Sequence, residues 1–157
     1  MSAIGVFEWL GHTSIGVALN RSTWGVAILE MVHLLALAAL GGTILLVDLR
    51  LLGFGLKRRS PAELAAELSP IFWIGLTVIL LSGVLILSTE TMKCYYSEAF
   101  RIKMMLLFLA LLFQFTLHNK AVKSEVAAGS LWSRSAGVLS LALWLGVGLA
   151  GRAIGYL

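Results

Sequence analysis

Cysteine, proline and charge are all scarce in this chain. Cys94 is the single cysteine, so an intrachain disulfide is impossible and no Cys-x-x-Cys redox or metal site exists. The two prolines, Pro61 and Pro70, stand close together, which leaves long stretches without a helix breaker. Charged residues fill 13% of the 157 positions against 59% apolar ones, a balance too oily for a water-soluble domain of this length. Walker loops, Rossmann glycine patterns and histidine-helix protease motifs are missing as well. No aromatic-basic array accompanies the net charge of +4, so nucleic acid is not an expected partner. The start, MSAIGVFEWLGHTSIG, lacks the basic opening and long apolar core of a signal peptide.

What is present is long apolar runs, with a mean hydropathy of +0.94. A helix needs about 20 apolar residues to cross the hydrocarbon core. Residues 24–53, 70–90, 100–121 and 134–156 meet that need. The expected fold is all-α: a single polytopic membrane domain over 1–157, built as a four-helix bundle. The stretch 3–20 is too short and mixed to span, and Phe7, Trp9 and Leu10 suit an interfacial N-terminal helix or re-entrant turn, or else an ordered lead-in. In KRRSPAELAAELSP, Ser60, Pro61 and Glu63 form a helix-start signature. It predicts a short surface helix over 61–68, after which Ser69-Pro70 opens the second span. The pairs Gly151-x-x-x-Gly155 and Ala142-x-x-x-Gly146 allow close helix approach, within the bundle or in a homodimer or larger complex.

Arg50, Lys57, Arg58, Arg59, Lys120, Lys123 and Arg134 fall on one side of the bilayer, and Arg21, Lys93, Arg101, Lys103 and Arg152 on or near the other. That bias of seven against five predicts that both termini face away from the cytoplasm, the periplasmic side of a bacterial cell.

The ionisable residues inside the spans carry the functional signal. At about 100° per residue, Glu30, His33, Leu37, Gly41, Ile44 and Asp48 share one face of the first span. Lys103, Leu107, Ala110, Gln114 and His118 share a face of the third. Intramembrane ionisable groups turn inward and pair with one another. The first and third spans run the same way, so these faces predict two layers: an outer one of Glu30, His33 and Lys103 with Arg101 nearby, and an inner one of Asp48, Gln114 and His118. At 1.5 Å per residue the layers are roughly 15 Å or more apart, too far for His33 and His118 to share one iron.

The segments HLLALAALGGTILLVDLRLLG and FRIKMMLLFLALLFQFTLH resemble a family of small four-span bacterial inner-membrane proteins without an assigned function. That resemblance covers nearly the whole chain and implies a fold and a location. A looser one rests on a first-span histidine with phenylalanine and basic residues opening the third span. It is to the membrane protoporphyrinogen-oxidase type and the copper-resistance membrane domain. The former implies haem b with His33 as axial ligand and Lys103 or Arg101 at the propionates.

The leading functional expectation is therefore a haem-b-binding membrane protein engaged in electron transfer or quinol-linked redox chemistry. In it His33 ligates the metal, Glu30 orients the imidazole, Arg101 and Lys103 meet propionates, and His118 is a second candidate ligand. Bland readings stand beside it: a histidine paired for packing, and headgroup-level cations. One alternative is copper handling, with His33 and the soft sulfurs of Met31, Met92, Met104, Met105 and Cys94. Another is a non-catalytic subunit of a membrane complex. Whether the chain is an enzyme is left open, and a quinol or a redox protein are the partners considered besides the lipid bilayer.

Overall fold

Ser60 accepts a hydrogen bond from the Glu63 amide, and the Glu63 carboxylate accepts one from the Ser60 amide. This reciprocal cap starts the longest helix of the protein. The computed structural model describes residue 5 and residues 12–22, 24–55, 58–124 and 130–154. Among the described residues there is no strand. The helices are α1 (Ser14–Arg21), α2 (Gly25–Leu51), α3 (Pro61–Thr89), α4 (Thr91–Tyr96) and α5 (Glu98–Phe113). A π-helical turn, Gln114–His118, then leads into α6 (Asn119–Lys123), and α7 (Leu131–Ala153) ends the described chain.

Four helical segments are long and apolar enough to cross a bilayer: α2, α3, the continuous 98–123 segment and α7. Their outward sides are predominantly apolar. Leu34, Leu35, Ile74, Leu81, Phe108, Leu145 and Leu149 are all exposed, which water would penalise and acyl chains accept. The protein is thus an all-α membrane bundle.

α2 is the central element. It packs along α3 and, on another side, against α7, while α5 packs on α7. α2 and α5 scarcely touch. Leu40 and Ile44 of α2 meet Leu76 and Ile79 of α3 in the main apolar core, next to Phe72 and Trp144. Gly75 makes this contact close: a Cβ there would sit 3.3 Å from the Leu40 Cβ.

Two features differ from the sequence expectation. The predicted surface helix over 61–68 and the second span are one helix, with Pro70 inside it. Pro70 forfeits one backbone bond, to the carbonyl of the exposed Ala66. Against this loss, Leu64 and Leu68 dock on Val47, Leu51 and Val122, tying the amphipathic start of α3 to the bundle. Second, the third span is not α-helical throughout, because it widens at Gln114–His118. Such π turns cluster at functional sites.

Thr13 caps α1, which lies against α3 at the outer end of the bundle. A Cβ on Gly16 would come within 3.0 Å of the Ser88 carbonyl oxygen. Phe7, Trp9 and Leu10, expected to anchor the lead-in, lie outside the described residues.

Candidate functional site

The polar groups of the seam gather in two layers. In the inner layer the Nε2 of His118 lies 2.7 Å from Oδ1 of Asp48, and Nε2 of Gln114 lies 3.0 Å from Nδ1 of the same imidazole. With Gln114 as the donor to Nδ1, the ring donates from Nε2 to the carboxylate. Asp48 and Ser140 are wholly enclosed, and His118 and Gln114 nearly so. Ser140 of α7 adjoins the Asp48 carboxylate. Nevertheless, among the described residues, Asp48 Oδ2, Gln114 Oε1 and Ser140 Oγ make no hydrogen bond of good geometry. The layer is clamped from α7, where Ser133 donates to the Leu51 carbonyl at 2.7 Å and Gly137 faces the Asp48 carbonyl. His118 was expected as a candidate ligand. Here both of its ring nitrogens are engaged, so it offers no lone pair to a metal in this arrangement.

Beside this cluster is a cavity of about 330 Å³ between α2, α3, the π turn and α6. Gln114 and His118 form its polar wall, the small side chains of Ala62, Ala65 and Ala66 its inner mouth, and Phe72, Trp73 and Phe115 an aromatic wall. Trp73 and Phe115 are stacked, with ring centroids 5.7 Å apart at 22°.

The outer layer is built around His33. Its Nδ1 lies 2.7 Å from the Ser82 hydroxyl. That hydroxyl has one hydrogen, and the Val78 carbonyl 2.5 Å away accepts it. Nδ1 of His33 therefore donates to Ser82, which leaves the lone pair on Nε2. Gly83 flanks the ring, where a Cβ would meet the imidazole at 3.6 Å. Lys103 comes from α5 to the same level, close enough for its charge to act on His33. It lies over Gly151 of α7, whose Cβ would sit 3.6 Å from Nζ. Among the described residues no carboxylate pairs with Lys103.

The other expected members stand apart. Glu30 is exposed and makes no bond to His33; Ser82, which the sequence reading passed over, holds the ring instead. Arg101 is exposed at the rim, with its guanidinium donating to the Tyr95 carbonyl at 3.4 Å. Met31, Met104 and Met105 are exposed on the outer faces of their helices, so these sulfurs do not converge on His33. Cys94 is buried in the turn between α3 and α5, where burial and the nearby Glu90 push its thiol up from the usual range. No cluster of three or more His, Cys, Asp or Glu side chains forms among the described residues.

Serine in a span was the signal available for Ser82 and Ser140: each interrupts an apolar run at a position that faces the seam.

Four apolar helices enclosing two polar layers define a polytopic helical membrane protein. The chain belongs to DUF6644, a family of unknown function, whose family model matches residues 6–157. This agrees with the resemblance to small four-span proteins without an assigned function. No curated protein and no solved structure matches the chain, so the looser resemblance to the protoporphyrinogen-oxidase type and the copper-resistance domain gains no support.

Proposed function

We propose that the protein is a haem-b-binding membrane redox protein that exchanges electrons with a quinol-type or protein partner. The observation that carries this reading is His33, held in the seam with no partner for Nε2 among the described residues, beside Lys103, with which no described carboxylate pairs. Ligand histidines have their second nitrogen fixed by another group, and Ser82 fills that role. A cation drawn into an apolar seam without a carboxylate partner suits an anionic group such as a propionate. The donor set would supply the iron with one ligand from the protein. His33 would hold the iron, Ser82 would maintain the tautomer, Lys103 would face a propionate, and Gly83 and Gly151 would leave the flanks low. Bound haem supplies a one-electron couple.

His118 is a poor second ligand for the same iron. The fifteen positions from His33 to Asp48, its partner, span about 22 Å of α2 at 1.5 Å per residue. The bacterial inner membrane is the location that the resemblance to small four-span proteins favours, and the basic-residue bias favours periplasmic termini.

The test is an absorption spectrum of protein purified from haem-replete cells, oxidised and reduced. A Soret band is expected. It should vanish in His33→Ala, persist in His118→Ala, and persist in Ser82→Ala with a shifted midpoint potential. No Soret band in the wild-type protein overturns the reading.

A further inference from the structure

The cavity beside the inner layer has no part in the haem reading, yet it has the make-up of a ligand site. At about 330 Å³ it reaches the size of small-molecule pockets, which run from roughly 300 Å³ upwards. Its walls are apolar and aromatic, with a few polar groups converging at one side. One of these is incomplete. Gln114 is 8% exposed, and its Nε2 is committed to His118, while Oε1 is buried without a partner among the described residues. A buried amide oxygen left unpaired costs about 1–3 kcal/mol, so a site that retains one is set up for a donor from outside. Along another wall the half-exposed Trp73 and Phe115 stack, presenting aromatic faces at the lipid side.

We propose that this cavity binds the ring of a membrane quinol, with Gln114 Oε1 accepting a hydrogen bond from a ring hydroxyl and Phe72, Trp73 and Phe115 meeting the ring and the start of its apolar tail. A flat apolar ring with hydroxyl donors matches both walls of the cavity. A phosphate headgroup would match neither Oε1, an acceptor, nor the aromatic wall; Lys123 at the rim is the one cation of the lining that it could use. The Gln114 amide also suits the oxidised ring. Turned over, it would accept from a protonated His118 through Oε1 and offer Nε2 to a quinone carbonyl. The choice of a quinol as the occupant leans on the redox reading, whereas the site itself is independent of His33.

The experiment is photolabelling of the purified protein in neutral phosphatidylcholine nanodiscs with an azido-benzoquinone bearing a decyl chain, reduced before use and mapped by mass spectrometry. Label is expected in 62–73 and 114–123, competed by excess decyl-benzoquinol. Gln114→Leu should cut it by roughly fivefold or more, the scale of one lost neutral hydrogen bond. Ala66→Phe, which blocks the mouth and leaves the Asp48–His118 pair untouched, should cut it equally. Elution profile and circular dichroism identify variants that fold. Label that survives Ala66→Phe, label placed elsewhere, or competition by phosphatidylglycerol but not by quinol overturns the proposal. The readout needs no iron, so it fails or succeeds separately from the Soret test.

Discussion

Asp48 and His118 come from the first and third spans and meet at 2.7 Å with almost no exposure. In water such a pair would be a doubtful source of stability, because desolvation opposes the attraction. In a bilayer neither partner has water to return to, yet measured interhelical polar couplings average only about 0.6 kcal/mol and reach about 1.7 kcal/mol. The enclosure here argues for the upper end. A double-mutant cycle of Asp48→Asn and His118→Phe, read by reversible unfolding in mixed micelles, should give a coupling of about 1–2 kcal/mol. Strict additivity would mean that the two side chains do not act on each other.

The sequence placed these two residues and Gln114 in one layer because helical phase and spacing alone bring them to a common face and depth. It placed His33 and Lys103 at one level for the same reason. Glu30 shared the computed face with His33 but lies exposed, since near a helix end the headgroup region is a cheaper setting for a carboxylate than the seam. The pairing of Ser82 with His33 was not legible. A hydroxyl in an apolar helix can be satisfied by its own backbone, as Thr43, Ser88 and Thr89 are, so its partner across the seam has no signature.

Among the helices, glycines decide how near neighbours come. A Cβ on Gly137 would sit 3.1 Å from the Asp48 carbonyl oxygen, a backbone atom that cannot step aside. A Cβ on Gly148 would meet nothing within 4 Å. Gly137→Ala should therefore force α7 off α2 and destabilise the bundle by about 1–3 kcal/mol, whereas Gly148→Ala should be neutral or mildly stabilising. The same unfolding assay ranks them, and equal effects would mean that α7 and α2 are not in tight contact at Gly137. The small-residue pairs noticed in the sequence serve internal packing in part. Gly146 faces Leu106 and Gly151 faces Lys103, both on α5, while Ala142 is exposed and Gly155 lies outside the described residues. The four spans were readable from apolar length, and the cap at Ser60 from its residues. The continuity of α3 through Pro70 was not readable, because it depends on Leu64 and Leu68 finding Val47, Leu51 and Val122, contacts that no local pattern encodes.

For the whole molecule, an even number of crossings puts α1 and the end of α7 on one face and the α2–α3 connection on the other. In the proposed orientation, with the termini periplasmic, a cysteine at Ser14 should react with a membrane-impermeant maleimide in spheroplasts. One at Phe54, which is 67% exposed, should react only after permeabilisation. Both belong in a Cys94→Ser background. The reverse pattern would invert the assigned orientation. Pairing of α2 with α3 and of α5 with α7, joined mainly through α2 and α7, leaves the α2–α5 side loosely knit at the level of His33 and Lys103.

The wide turn at Gln114–His118 also sets the timing between the two ends of the third span. It takes up more residues per revolution than an ordinary helix, so Lys103 before it and His118 at its end owe their mutual bearing to chain length as much as to chemistry. Removing Phe115 or Leu117 would let the wide turn close to an ordinary helical one and leave the two ends nearly in register, whereas removing a residue from the regular part of α5 would swing one end by about 100°, so that Lys103 and His118 could not both keep their neighbours.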